Sequence, residues 1–345
     1  MGKSAAGKAR KKFSYFDVLK NLFPWKGDPV REVIRKIIFL IAVIVFGVCA
    51  FLVFDYFYEN YKNNQMNKEI QKNVPNLSEL ADLIDNDVTN KVSSTEMLSY
   101  MKEIIAQTGN NDIVGHIQIP DKNGDCSDTK VNYPIVQSSN EADRDYYLER
   151  NIYKQEARAG SIYLDYNCKL GALERSDNLV IYGHEMQDGS MFGNLSEYDH
   201  NYSFYENHPC IELSSRYDVS TYKIFGFFYA DGGRGECDFY YTQTTEFENE
   251  KTFYDYVNQI KRRSLVLNEV DVKYGDELLI LSTCSTDYFN DARFVVAARK
   301  LRDGEDKYSG TENNSRNPNP LMPLEWYKAR GEKNTYVDDG FVPYG

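Results

Sequence analysis

A thiol and a guanidinium lie close together in the stretch from Glu277 to Leu301. The apolar run Leu278 to Leu281 predicts a buried strand that leads into Cys284, and a second apolar run begins after Arg293, nine residues later. If the two strands pair, Arg293 returns close to Cys284. A thiol beside a fixed positive charge is favoured as the thiolate, which attacks carbonyl groups. The same pattern also fits a buried structural cysteine beside a surface arginine.

A cysteine nucleophile needs an acid–base partner, and the chain offers only His116, His184, His200 and His208. His184 follows the apolar run Leu179 to Tyr182 and enters a glycine-rich loop, which is where a strand end exposes catalytic groups. His116 lies in the middle of a predicted strand, and His200 and His208 lie in a polar connection. We therefore expect His184 to be the partner of Cys284.

The elements that must position these residues are predicted to be short strands, because the hydrophobic period changes to two from Ile113 onwards. Turn residues separate most of them, and eight strands at this spacing indicate a mainly β fold, a barrel or a sandwich. The expected strands are 113–119, 131–137, 161–166, 178–183, 209–213, 219–230, 277–283 and 293–300.

Two helices are predicted beside the strands. Ser93-x-x-Glu96 fits a capping box that precedes an apolar stripe, comprising Met97, Tyr100, Met101, Ile104 and Ile105. Thr245-x-x-Glu248 is a candidate cap for a second helix, inserted between the sixth and seventh strands, which carries Phe253, Tyr256, Val257 and Ile260. The second helix is expected either to wall a substrate groove or to cover a barrel face.

The N-terminal part of the chain predicts a membrane anchor. Residues 1–36 hold ten Lys and Arg residues against three acidic ones, and residues 37–54 are eighteen residues without a charge. Such a helix is about 27 Å long, which spans a bilayer core. The basic flank places residues 1–36 in the cytoplasm, with residues 55–75 as an external stalk and the body outside the cell. A cleaved signal peptide is the rival interpretation, but no small-x-small cleavage site follows the run.

Charge and cysteine spacing exclude other classes of site. The whole chain carries a net charge of −12 despite its basic start, so the body is acidic and unsuited to binding nucleic acid. The six cysteines form no CxxC pair, so we expect no metal and no cofactor. Up to two disulfides are possible among Cys126, Cys168, Cys210 and Cys237, which would leave Cys284 free.

The sequence DKNGD at 121–125 resembles part of a calcium loop. It lacks the glycine and the glutamate at the positions that such a loop requires, so it predicts a turn.

The C-terminal tail, residues 303–345, is polar and rich in Asn, Pro and Gly. No strand period is visible there, and partial disorder is expected, although Trp326 and Tyr327 are able to dock onto the body. The run Asn317-Pro318-Asn319-Pro320 is interpreted most simply as a linker.

The motifs together resemble the sortases, and within them class B. The resemblance covers roughly residues 75–302, which makes 76–302 the expected catalytic domain. It rests on YGHEMQDGSMFGNL, on LSTC and on the Arg nine residues after the Cys, supported by IVGHIQIP, TKVNYPIVQ, DYYLER and GSIYLDY. It implies an eight-stranded sortase-like β-barrel with N-terminal helices and a long helix between strands six and seven. His116 stands where the family often has Trp.

The resemblance also implies an activity, that of a membrane-anchored, extracellular cysteine transpeptidase. Cys284 matches the nucleophile, His184 the catalytic histidine and Arg293 the catalytic arginine, while Ser282 and Thr283 match the small polar positions that line the substrate site. The implied partners are surface proteins with an NPxTx-like sorting signal and a peptidoglycan amine. Asn317-Pro318-Asn319-Pro320 begins like such a signal, with Pro where Thr is expected, which raises the hypothesis that it lies in the groove as a mimic, against the simpler interpretation as a linker. A class B sortase that polymerises pilin and a secreted cysteine protease remain the alternatives.

Overall fold

In a computed structural model of the chain, residues 15–72, 74–75, 96–232 and 238–345 are described. The chain divides after Lys62 into two compact units. The predicted capping residue Ser93 and the cysteine Cys237 lie outside the described residues.

The first unit is helical. Helix α1 spans Tyr15–Leu22, and helix α2, which spans Val30–Gln71, begins in this unit and ends in the second. In the part of the chain that the structure describes, α2 is the one helix long and apolar enough to cross a membrane. It contains the predicted span 37–54 and also most of the predicted stalk. The stalk sequence is helical up to Gln71 because no Gly or Pro interrupts it before Pro75.

The second unit is built on a closed barrel of eight strands. In chain order they are β1 Ile113–Gln118, β2 Asn132–Val136, β3 Ile162–Leu164, β4 Asn178–Tyr182, β5 Cys210–Ser215, β6 Val219–Asp231, β7 Leu278–Ser285 and β8 Ala292–Lys300. All eight lie where the hydrophobic pattern predicts them, with ends that differ by a few residues.

The strand order around the barrel is β1, β2, β3, β4, β7, β8, β6, β5, and β5 pairs with β1 to close it. Two seams are parallel, β2 with β3 and β4 with β7, and the others are antiparallel. Both faces of β6 and most of β7 are buried, which explains their nearly continuous apolar sequences.

Short helices cover the barrel. Helix α3 spans Ser99–Thr108 and buries the predicted stripe residues Tyr100, Met101 and Ile104 in a cluster with Ile70 of α2. Helices α4, Glu197–His200, and α5, Tyr202–Asn207, connect β4 to β5.

Helix α6 spans Glu250–Arg263 and is the insertion predicted between barrel strands six and seven. Its apolar face is the predicted one, with Phe253, Tyr256, Val257 and Ile260 buried. The predicted cap was wrong: the N-cap is Asn249, whose side chain accepts a hydrogen bond from the Thr252 main-chain N–H, while the Thr252 hydroxyl bonds back to the Asn249 main chain. Threonine replaces the usual third-position glutamate, so the box does not match the sequence rule.

The C-terminal tail is part of the folded body and contains a short strand and a helix. The expectation of partial disorder was wrong for these two elements. Ser315–Arg316 pairs with Val266–Leu267 in a two-stranded ladder, and helix α7 spans Leu324–Arg330. The tail is fastened at Glu305, whose carboxylate lies 2.7 Å from Lys223 Nζ and also binds Arg299. Its Tyr327 is buried, as the sequence allowed.

None of the cysteines described by the structure forms a disulfide: Cys49, Cys126, Cys168, Cys210 and Cys284 are all free thiols. The suggested pairing among Cys126, Cys168 and Cys210 was therefore wrong. Burial and then the Asp125 charge raise the pKa of Cys126 to about 12, and burial does the same for Cys168 and Cys210. Cys168 and Cys210 are buried packing residues and Cys126 is half-buried, so among the described residues of the second unit Cys284 is the exposed thiol. The sequence 121–125 is a turn, as predicted, closed by the Asp121 carboxylate on the Asn123 and Asp125 main-chain N–H groups.

Candidate active site

Cys284 and Arg293 are directly opposite each other on the antiparallel strands β7 and β8. The loop between the strands therefore returns the chain as the sequence predicts. Side chains at such directly opposed positions have Cβ atoms about 4.5–5.5 Å apart and lie on one face of the sheet. The Cys284 thiol is exposed although its strand neighbours are buried, because it stands at the open end of the barrel.

His184 approaches Cys284 across the parallel seam between β4 and β7. Tyr182 is level with Ser282, and the Gly183 main-chain N–H donates to the Ser282 carbonyl at 3.2 Å. Neighbouring parallel strands end at the same edge, so His184 and Cys284, each two residues further on, meet there.

Gly183 is required for this approach. A Cβ at this position would lie 2.4 Å from Ile162 Cδ1 and 2.8 Å from the ring of Phe192, both of which are packed in the core. The glycine next to His184 therefore lets the chain pass between two core side chains before it turns outwards.

The group that orients His184, which the sequence does not reveal, is the Leu148 carbonyl. His184 Nε2 lies 2.7 Å from this oxygen. Because a carbonyl only accepts, Nε2 carries the hydrogen and Nδ1 is the nitrogen left to exchange a proton. The carbonyl is held in place because Gly160 packs against it, where a Cβ would lie 2.2 Å from the Leu148 oxygen.

The Arg293 guanidinium is half-buried and has no carboxylate partner among the described residues. Its guanidinium donates to two main-chain carbonyl oxygens, that of Ala292 at 3.1 Å and that of Asp291 at 3.4 Å. Gly232, just after β6, lies flat against the side chain, since a Cβ there would be 2.6 Å from Arg293 Cζ. The arginine is thus placed without being neutralised, and its donors are available to a substrate oxygen.

These residues border a common cavity of about 290 Å³. It is lined by Asp145, Leu148, Tyr163, Tyr182, Gly183, His184, Ser282, Thr283, Cys284 and Arg293. Burial, followed by the charges of nearby carboxylates, raises the pKa values of Tyr163 and Tyr182 far above their ordinary range. Both tyrosines stay neutral, and their hydroxyls donate to Asp145 at 3.3 Å and Asp165 at 2.9 Å.

Ser282 and Thr283 both line the cavity, as expected, but they differ. Ser282 shares the face of Cys284, and its hydroxyl is 2.8 Å from the Tyr241 hydroxyl. Thr283 points to the opposite face of the strand and is buried, with no hydrogen-bond partner for its hydroxyl among the described residues. Both side chains are 2% exposed, so a contact of either one with a substrate stays a prediction.

The other histidines are placed differently. His116 is buried in β1, and desolvation lowers its pKa to about 3, so it stays neutral. His208 is also buried, with its Nδ1 3.0 Å from the Phe204 carbonyl. His200 is exposed, but its Nε2 lies 3.3 Å from Asp287, so it faces a carboxylate instead of the thiol.

Sequence reasoning missed a group of carboxylates behind the site. Asp199 accepts from Tyr288 at 2.9 Å and from Tyr229 at 3.2 Å, and Asp287 accepts from Tyr229 at 3.0 Å. Burial, and then the charge of Asp287, raise the pKa of Glu185 to about 7. These contacts hold the loop between Cys284 and Arg293. The residues that make them are far apart in the sequence, so no sequence pattern could reveal the contacts.

The chain is similar to known proteins in both sequence and fold. A family model described as the Sortase domain matches residues 117–301. Sortase B of Listeria monocytogenes is 35% identical over 194 residues, covering 55% of this chain and 70% of that protein. Sortase B of Staphylococcus aureus is 31% identical over 192 residues, covering 56% and 71%.

Solved structures agree with the sequence comparisons. The sortase B–substrate complex of Staphylococcus aureus superimposes with a TM-score of 0.55 at 25% identity, covering 72% of this chain and all of that one (100%). A Bacillus anthracis protein described as similar to sortase B gives a TM-score of 0.53 at 28% identity, covering 70% of this chain and 98% of that one.

Proposed function

Because this chain belongs to the sortase family and is a class B cysteine transpeptidase, we propose that it cleaves an NPxTx-like sorting signal in surface proteins and joins the acyl group to a peptidoglycan amine. The observation that carries the proposal is the juxtaposition of Cys284 and Arg293 on β7 and β8, with His184 across the β4–β7 seam. A relative solved with substrate bound, the Staphylococcus aureus complex, supports a peptide-binding role for the equivalent groove.

In the first half of the reaction, Cys284 Sγ as thiolate attacks the scissile carbonyl and forms a tetrahedral intermediate. Arg293 donates hydrogen bonds to the oxygen on which negative charge develops, and removal of one such donor typically costs about 3–4 kcal/mol. His184, protonated at Nδ1, gives that proton to the leaving amine as the C–N bond breaks. A thioester on Cys284 and a free amine result.

In the second half, an incoming amine attacks the thioester. Neutral His184 takes a proton from the amine at Nδ1, while Nε2–H stays on the Leu148 carbonyl and keeps the ring oriented. The intermediate expels the Cys284 thiolate, and a new amide bond forms. A bound amine competes with water because binding supplies a high effective concentration at the thioester.

We also propose that α2 anchors the enzyme, with residues 1–36 in the cytoplasm and the barrel outside the cell. The support is the apolar helix with its basic N-terminal flank. Protease protection of intact cells tests the orientation: external protease should degrade the barrel and leave a tag placed before Lys3 intact.

The activity is tested with the full chain in nanodiscs, using quenched peptides with NPQTN-like and LPxTG-like sequences and a panel of amines. Mass spectrometry should detect a peptide–amine adduct with the NPQTN-like peptide. The adduct should disappear in Cys284→Ala and persist in Cys168→Ala, whose buried thiol serves as the matched control.

Other products would change the assignment. Free acid as the sole product with every amine would favour the cysteine protease, and transfer only to a lysine of a pilin-type protein would favour the polymerising enzyme. A Cys284→Ala variant that still forms the adduct would refute the proposed nucleophile.

A further inference from the structure

A second groove, of about 710 Å³, lies on the barrel away from Cys284. Its walls are the end of α2, the start of β2 with the connection before it, and the loop after His184. Nothing in the mechanism uses it, yet its volume is in the range of small-molecule binding sites.

Two amide side chains in this groove are almost fully buried without hydrogen-bond partners in the described part of the chain. Gln118, on β1, is 6% exposed, and Asn67, on α2, is 8% exposed. Each amide offers an acceptor and two donors, which a ligand in the groove can use. Side chains that line a groove in this state are suited to a ligand with many hydrogen-bonding groups.

The charges of the groove cancel. Lys68 and Lys130 stand against Asp125 and Asp188, and Lys130 Nζ already donates to the Asp188 carbonyl at 2.5 Å. An anionic ligand such as a phosphate would meet as many carboxylates as ammonium groups. The balance favours a neutral, polar ligand.

The remaining walls fit a ring-shaped molecule. Tyr133 contributes an aromatic wall, and its hydroxyl is occupied by the Met191 main-chain N–H at 3.1 Å. Further amides, Asn64 and Gln71, surround it. Amides around an aromatic face suit the hydroxyl and C–H groups of a sugar ring.

We propose that this groove binds a neutral saccharide with hydroxyl and acetamido groups. The assignment of that saccharide to the glycan part of the peptidoglycan acceptor rests on the proposed function. Asn64 Nδ2 donates to Asp188 Oδ2 at 3.0 Å, so the groove wall is bonded to the loop that begins at His184. A glycan held here lies beside the element that carries the acid–base residue.

The binding test uses the full chain in nanodiscs, which avoids detergents with sugar headgroups. Tetra-acetylchitotetraose is titrated and followed by saturation-transfer difference NMR, with cellotetraose as the ligand that lacks acetamido groups. We expect saturable binding of the first sugar and binding of the second at least about tenfold weaker.

Gln118→Leu and Asn67→Leu should each raise the dissociation constant about tenfold, because each removes amide contacts at similar side-chain size. Gln243→Leu alters an exposed glutamine that does not line the groove and should leave binding unchanged. A thermal unfolding curve for each variant identifies one that fails to fold. If one groove variant fails to fold, the binding measurement on the other still tests the proposal.

The proposal is overturned if no saturable binding occurs up to about 10 mM, or if both groove variants bind as tightly as the wild type. Equal affinity for cellotetraose overturns the acetamido assignment. Transpeptidation to a small amine, measured on the same samples, should be unchanged in Gln118→Leu. If the wild-type protein shows no transpeptidation, that result counts against the proposed function alone. If it transfers the peptide but binds no saccharide, that result counts against the groove proposal alone.

Discussion

At the scale of single residues, the candidate site depends on contacts that keep Arg293 in place without neutralising it. Gly232 touches the flat side of the arginine, and no carboxylate in the described residues pairs with it. A guanidinium held in this way needs little rearrangement when charge develops on the substrate.

Gly232→Ala tests this contact. A Cβ there would lie 2.6–2.8 Å from Arg293 and push the guanidinium away, so we expect kcat/KM for peptide cleavage to fall about tenfold or more. The thermal midpoint should change little because Gly232 is exposed. Gly47→Ala, at a glycine with open space around it, is the control. Unchanged cleavage in Gly232→Ala would show that the arginine position is not critical.

Glu185 predicts a pH dependence of stability. Its pKa is raised to about 7, so its neutral form is favoured in the folded protein. The stabilisation is present below about pH 4.5 and is lost as the pH rises through about 7. Glu185→Gln should therefore gain about 1 kcal/mol over the wild type at pH 8, after screening of a half-exposed group, and nothing at pH 4. Thermal midpoints of wild type and variant, measured between about pH 4 and about pH 8, test this prediction. A difference between the two midpoints that does not change with pH would contradict the raised pKa.

At the scale of elements, α6 shows where sequence rules stop. Its apolar stripe follows the helical period, so its existence and its buried face were predictable. Its N-terminus was not predictable, because the sequence also contains a cap-like threonine–glutamate pair that begins four residues before Asn249. Which of the two caps the helix depends on the path of the chain after β6.

The two capping candidates are separable by mutation. Asn249→Ala removes the hydrogen bond to the Thr252 main-chain N–H and should cost about 1 kcal/mol of stability. Thr245→Ala, at the residue that the sequence rule favoured, should cost close to nothing, because its side chain makes no cap. Denaturant unfolding of both variants gives the comparison, and the reverse order would contradict the observed cap.

The placement of Cys284, His184 and Arg293 was predictable for the same reason as the strands. Cys284 and His184 each end an apolar run, and Arg293 begins one, so periodicity alone marked them as residues at one edge of a sheet. The Leu148 carbonyl was not predictable, because any residue presents a carbonyl and only the folded loop selects this one. Glu185 and Asp287 were missed for a related reason: their proximity arises from the barrel, not from spacing in the chain.

At the scale of the whole molecule, the C-terminal segment is fastened to the barrel by a buried ion cluster. Glu305 binds Lys223 and Arg299, whose side chains are 0% and 1% exposed. Asn317, the first residue of the suspected signal mimic, bonds through its side chain to the Ser264 carbonyl at 2.7 Å, and no residue of the tail lines the cavity at Cys284. The structure therefore contradicts the mimic hypothesis.

Glu305→Gln should destabilise the barrel by about 3 kcal/mol, because it removes the carboxylate partner of buried Lys223 and leaves buried Arg299 only the longer pair with Asp276 at 3.8 Å. Although burial opposes the effect, hydrogen bonds from Arg299 and Lys223 lower the pKa of Glu305. Its stabilisation is thus present above about pH 4.5 and is lost as the pH falls further, so wild type and variant should converge in acid.

Glu325→Gln is the matched control for this prediction, since its partner Lys328 forms an exposed pair and little change is expected. Thermal unfolding at pH 7 and pH 4 measures both variants. Equal stability of Glu305→Gln and wild type at pH 7 would show that the cluster is not what fastens the tail.

The parallel seam between β4 and β7 also bears on when the protein becomes active. Tyr182 and Ser282 pair although they are one hundred positions apart, whereas β7 and β8 are joined by a short loop. Contacts between distant segments form slowly, because the intervening chain must be ordered first. Cys284 and Arg293 can meet early in folding, but His184 joins them only when the barrel closes. With the roles proposed for Cys284 and His184, we therefore expect an incompletely folded chain to lack a competent nucleophile.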